Sequence, residues 1–190
     1  MSILVLKTQL PAASLLHTAF PKIHYADAFS APLKDDQLQL KPIDAAKAFF
    51  LAAPAWVSWM MQLRNWIVKL FGIKKSDSTG SREQILENFN GEPGQTIGLF
   101  RVFSKSEHEI VMGENDKHLD FRISVWLEPQ GSGKQVLTLS TIVVLHNWLG
   151  RLYFWPVKFF HRLIVPAMLR SIVRKLESQN VSSRLYTAHD

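Results

Sequence analysis

The stretch His118-Leu-Asp-Phe-Arg-Ile-Ser-Val-Trp-Leu-Glu128 decides how this chain folds. Leu119, Phe121, Ile123, Val125 and Leu127 alternate with His118, Asp120, Arg122, Ser124, Trp126 and Glu128. A period of two belongs to a strand, because successive side chains of a strand point to opposite faces. One face is therefore expected in a core and the other mostly in water, as in an antiparallel sheet covered on one side. Trp126 falls on the wetter face and is expected at the surface or at an edge. Pro129-Gln-Gly-Ser-Gly133 supplies turn residues, and Gln135 to His146 returns as an apolar, β-branched strand. So short a connection makes the pair an antiparallel hairpin.

Upstream, the same period predicts strands over Ile97 to Ser104 and Glu109 to Gly113, and a first strand over residues 23–30 closed by Pro32. Between them a helix pair is expected. Asp44 can cap a short helix over Ala45 to Ala52 by accepting free N–H groups of its first turn. Pro54 suits the first position of a second helix running to about Phe71, with Gly72 as its stop. Trp59, Leu63, Trp66, Ile67 and Leu70 fall on one side of it. Residues 74–96 are polar and turn-rich, and read as a loop with a short helix around Glu83 to Phe89.

Downstream, Asn147 can cap a long helix from Trp148 to about Leu176. Leu149, Leu152, Tyr153, Pro156, Phe160, Leu163, Ile164 and Ala167 form its expected buried stripe, with Arg151, Lys158 and Arg162 opposite. Pro156 and Pro166 each remove a backbone donor, so the helix is expected to bend or break there. Residues 1–22 read as a partly docked N-terminal segment, 23–177 as one domain and 178–190 as a frayed tail.

Composition narrows the classes further. A chain of 190 residues that is 47% hydrophobic and 20% charged is neither disordered nor low in complexity. With no cysteine, disulfide scaffolds, thiolate-bound zinc, iron–sulfur clusters and thiol nucleophiles are excluded. Twelve Phe and six Trp suit a large core or the wall of an apolar pocket. Two uncharged runs, residues 48–63 and 135–150, fall short of the roughly 20 residues a spanning helix needs. Leu6 ends a short apolar run with no basic stretch before it, unlike a secretory signal. A cytoplasmic protein is expected.

Read in order, the plan is strand, helix pair, several antiparallel strands and one long helix. It resembles the helix-grip fold of the START-like superfamily, which includes the polyketide cyclases and birch-pollen-allergen-type proteins. Tyr25-Ala-Asp-Ala-Phe29, Gly98-Leu-Phe100, Gly150-Arg-Leu-Tyr-Phe-Trp-Pro156 and Phe160-His161 resemble segments of a bacterial domain-of-unknown-function family, over about residues 22–176. The resemblance implies an α+β fold in which a curved antiparallel sheet wraps a long C-terminal helix around an apolar cavity. Some relatives are fused to short-chain-dehydrogenase-like domains. This chain has no G-x-G-x-x-G, so no nicotinamide site carries over and no cofactor is implied.

Motifs for chemistry are sparse. Gly131-Ser-Gly-Lys134 lacks the other residues of a phosphate loop and reads as a hairpin turn. The seven His never stand three or four apart, so no helical turn offers two metal ligands. Glu107-His108-Glu109 reads as an exposed loop. His146, Tyr153 and His161 are candidates for polar groups on the cavity wall, where they would orient a ligand or move a proton. Asp27 shares strand parity with Tyr25 and Phe29, and is expected to pair with Arg101 or Arg122 or to mark a polar spot. Phe121, Ile123, Phe160, Leu163 and Ala167 complete the expected lining. No acid occurs from Pro129 to Leu176, against seven basic residues. Arg151, Lys158 and Arg162 are therefore candidates for an anionic membrane surface, whereas the core-like aromatic spacing argues against nucleic acid. The expected function is non-catalytic binding of a hydrophobic small molecule or lipid. The alternatives are a cyclase, dehydratase or isomerase on the same scaffold, and a docking module.

Overall fold

The computed structural model describes residues 3–36, 39–54, 56 and 86–187, with side chains as far as residue 180. Among them the chain runs β1 (Leu6–Thr8), a 3-10 turn (Leu15–Thr18), β2 (Tyr25–Lys34), α1 (Pro42–Leu51), β3 (Thr96–Ile97), β4 (Phe100–Lys105), β5 (Glu109–Asn115), β6 (Leu119–Gly131), β7 (Lys134–Leu145) and α2 (Trp148–Thr187). The strands form one curved antiparallel sheet in the order β1-β2-β7-β6-β5-β4-β3. With α2 packed on one face, the architecture is α+β and consistent with a helix grip. No helix among the described residues is long and apolar enough to cross a membrane.

The hairpin that decides the fold is longer and tighter than its turn residues suggest. Gly131 pairs with Lys134, so the strands continue through Pro129 and Gln130 and only Ser132 and Gly133 form the tip. Both tip residues have positive φ, 51° and 68°, which suits a two-residue turn whose twist matches that of the strands. Gly98, at φ 59°, opens a second tight turn that divides the expected 97–104 strand into β3 and β4. β2 runs past Pro32 to Lys34. Beyond Ser30 it has lost β1 as a neighbour, and a strand edge is where proline is tolerated. α1 begins at Pro42, so Asp44 sits in its first turn and accepts the Lys41 N–H at 2.8 Å. The second helix expected from Pro54 to Phe71, the polar run at 74–81 and most of the short helix near 83–89 lie outside the described residues.

α2 forms as expected at its start, where Asn147 Oδ1 accepts the Gly150 N–H at 3.0 Å. It passes both prolines unbroken and extends beyond Leu176 to Thr187. Phe154 on one side of the prolines and Leu169, Ile172 and Leu176 on the other are buried on the sheet, which holds the helix across the missing bonds. Its buried stripe is rotated from the expected one. Phe154, Val165, Met168, Leu169, Ile172 and Leu176 face inward, whereas Leu152, Phe160 and Leu163 are exposed.

The outer face of the sheet departs most from expectation. Arg122, Ser124 and Trp126 are buried: the Phe20 ring of the N-terminal segment lies over Arg122, Ser14 and Ser124 share the Glu109 carboxylate, and the His108 ring lies 5.9 Å from that of Trp126. Leu16 is fully buried with Val111 and Ile142, and Leu10, Leu15, Ala19 and Phe20 pack around this cluster. Glu109 opens β5 and is 0% exposed rather than part of a loop. Its carboxylate accepts from the Ser14 hydroxyl at 2.5 Å, the Leu15 N–H at 2.7 Å and the Ser124 hydroxyl. The Arg122 guanidinium lies 3.3 Å from the Phe103 ring centroid and 4.6 Å from that of Phe20, and burial lowers its pKa. Charge inside the outer face is thus held by hydroxyls, a backbone donor and aromatic faces.

Two substitutions test this packing. Ala in place of a helical Gly normally stabilises by up to about 1 kcal/mol. At Gly150 the added Cβ would overlap the His118 carbonyl, which is fixed by the His146 N–H at 3.0 Å. Gly150→Ala should therefore destabilise by about 1–3 kcal/mol in chemical denaturation. Glu109→Gln sets an amide donor among groups that already donate and should cost about 1–3 kcal/mol by the same measurement.

Candidate functional site

Cross-strand register arranges the inner face in rows. Phe29, Leu139, Val125 and Ile110 form one row, and on the hairpin-tip side of it Leu169, Ile172 and Leu176 of α2 complete a closed core. The next row away from the tip is Asp27, Thr141, Ile123 and Met112, and the one after it Tyr25, Val143 and Phe121. Tyr25, Phe121 and Ile123 are only half-buried. The inner face is therefore closed at the tip and more open at the end crossed by the first half of α2.

A polar cluster occupies that open end. Asp27 is buried, and its Oδ2 accepts the Tyr25 hydroxyl at 2.5 Å. His161 Nε2 reaches the other oxygen, Oδ1, at 3.2 Å from α2. An ionised carboxylate only accepts, so the geometry calls for the proton on Nε2. The Tyr25 ring stacks edge-on against Phe154 at 5.1 Å and against His161 at 6.0 Å. Lys158 Nζ lies 5.4 Å from the same ring centroid. Burial, then the hydrogen bond and charge of Asp27, push the Tyr25 hydroxyl well above the usual tyrosine range, and Arg162 opposes this in part.

Local structure explains each placement. Tyr25 and Asp27 are two apart on a strand and share a face. Lys158 and Arg162 are one helical turn apart on the flank of α2 next to His161. The cluster offers a carboxylate, a hydroxyl and an imidazole against apolar walls, with two cations at its rim. Such a set can hold the polar head of a largely apolar molecule, or position an imidazole to move a proton.

Of the residues expected at a site from sequence, Asp27 and His161 meet here, while Ile123 and Phe121 lie on the same face two strands away, beyond Thr141 and Val143. Asp27 is held by Tyr25 and His161, and not by Arg101 or Arg122; Arg122 is on the outer face. His146 lies apart and pairs with Asp120 at 3.1 Å. Tyr153 and Ala167 are half-buried on α2, while Phe160 and Leu163 face away, with Leu163 55% exposed. Tyr25 and Phe154 were not among the expected site residues. The Tyr-x-Asp spacing on one strand face was the available sign for Tyr25; Phe154 had none. Among the described residues no three His, Asp or Glu side chains converge as metal ligands.

Residues 19–168 match the family model described as "protein of unknown function (DUF2867)", and the chain belongs to that family. No curated protein and no solved structure matches it.

The Tyr25 environment has a pH signature. A pKa raised in the folded state gives stability that is complete below the unfolded value of about 10 and fades as pH climbs toward the folded one. One of the three tyrosines should therefore form tyrosinate only above the ordinary range, seen by absorbance. Tyr25→Phe should abolish that late step and flatten the alkaline loss of stability.

Proposed function

We propose that this DUF2867 protein binds an amphiphilic small molecule or lipid at the open end of the inner face, without catalysis. The observation that carries the proposal is the buried Asp27 carboxylate, joined to Tyr25 and His161 on a face that continues through Thr141 and Val143 to Ile123 and Phe121. A buried polar group among apolar walls fixes the orientation of a ligand whose body those walls accept. Lys158 and Arg162 at the rim suit a head that is anionic or rich in hydroxyls. On the same reading the chain is a START-like protein of the bacterial cytoplasm, a step that rests on analogy of fold.

One observation favours an enzyme as the second reading. Asp27 contacts His161 Nε2, as a carboxylate does when it orients an imidazole for proton transfer through the other ring nitrogen. A cyclase, dehydratase or isomerase could use that pair. The two readings part at Asp27→Asn. A carrier loses affinity and nothing else, whereas an enzyme loses turnover of a substrate it still binds.

Anilinonaphthalene sulfonate, an apolar anion, serves as the probe. Wild-type protein should enhance its fluorescence saturably. Ile123→Trp should block uptake by filling the row that Ile123 shares with Asp27 and Thr141, and His161→Leu should weaken binding by roughly tenfold, the value of one charge-assisted contact. Titrations unchanged by both variants, in protein shown to be folded by circular dichroism, would sink the proposal.

A further inference from the structure

α2 carries a second apolar stripe that the sheet does not use. Trp148, Leu152, Trp155, Phe159, Phe160 and Leu163 are all exposed, Trp155 at 79% and Trp148 at 70%. At about 100° per residue, Trp148, Leu152, Trp155, Phe159 and Leu163 fall within an arc of about 80°. Arg151, Lys158 and Arg162 occupy the adjoining arc of about 40°, between this stripe and the buried one. All three are exposed. Around its axis the helix is thus buried, basic and aromatic in turn.

We infer that this face docks on an anionic lipid bilayer, with the aromatic stripe at the boundary between headgroups and acyl chains. Trp and Phe with aliphatic neighbours, flanked by cations, are the residues an interfacial helix needs. Charge selects the occupant. From Pro129 to Leu176 there is no acidic residue, so the cations have no partner within that stretch of their own helix. A second copy of α2 against the first would bring cation to cation over the same stretch. An anionic headgroup layer complements them, at about 1 kcal/mol for each Lys or Arg near the surface. A nucleic-acid strand would call for bases and cations interleaved, whereas here the aromatics form one line and the cations another. Lys158 and Arg162 also border Tyr25, so a bilayer on this face lies beside the polar cluster. The inference stands on exposure and charge alone and does not need the ligand-binding reading.

The test is co-sedimentation with phosphatidylcholine vesicles with and without phosphatidylserine, alongside analytical ultracentrifugation of the free protein. The wild-type chain should bind the anionic vesicles, and raising salt from about 0.1 M to about 1 M should release it as the screening length shrinks to about 3 Å. Trp155→Ala with Phe159→Ala should weaken binding by roughly tenfold or more, since each ring removes its apolar contact from the bilayer. Arg151→Glu, remote from Tyr25 in sequence and on the basic arc, should weaken it on anionic vesicles only. The aromatic variants alter exposed positions, and circular dichroism checks that they fold. Equal binding by the double variant, or none by the wild type, overturns the inference. So does a dimer that the same variant dissociates, or single-stranded DNA that competes the protein off vesicles.

Discussion

β7 is buried on both faces over most of its length and its partner β6 from Ser124 to Leu127, so each face has to be covered by a different part of the chain. Half-burying a sheet needs one layer; burying it on both sides needs two. The inner layer is α2 with α1, brought from opposite ends of the described chain. The outer layer is residues 9–20, too short to form a helix of consequence, and it is fastened by charge. Glu109 draws the Ser14 hydroxyl and the Leu15 N–H onto itself, and Leu16 then drops into place against Val111 and Ile142. A buried carboxylate is costly unless its oxygens are satisfied, so the segment and the carboxylate depend on one another.

The inner layer is uneven, and the site follows from that. Toward the hairpin tip, Leu169, Ile172 and Leu176 complete a core with Leu33, Leu127 and Leu137. Toward the other end α2 presents Phe154 and His161 to the sheet, so fewer aliphatic atoms fill the space and polar contacts take over. Asp27 can be buried there because Tyr25 supplies one hydrogen bond and His161 another. The same register that closes one end of the grip therefore leaves the polar cluster at the edge of the closed core.

α2 links this cluster to the surface. Its three lengthwise zones give one side to the sheet, one to cations and one to exposed aromatics. Lys158 and Arg162 belong to the second zone yet reach Tyr25, so the rim of the cluster and the flank of the aromatic stripe share residues. An amphiphile arriving by way of a lipid surface would meet cations first and the Tyr25–Asp27–His161 group next.

Much of the fold was legible in the residues themselves. Alternation from Leu119 to Leu127, the turn chemistry of Gly131-Ser-Gly133 and the cap at Asn147 are local, and local physics suffices to place strand, hairpin and helix start. The parity that sets Asp27 beside Tyr25, and Phe121 beside Ile123, is local too. What lay beyond reach was every decision between distant partners. The apolar residues of α2 form two stripes of similar content, and only contact with β2 and β7 shows that Leu169 is inside and Leu163 outside. Arg122, Ser124 and Trp126 read as a wet face because alternation marks the polar side, and the first two are met by Phe20 and by the Ser14-bound Glu109, Phe20 and Ser14 belonging to a segment about a hundred residues away. His161 meets Asp27 across 134 residues, a separation that no spacing rule encodes. Periodicity determines which residues share a face; tertiary packing decides which face is covered, because burial is a property of two surfaces and the sequence of either states only one.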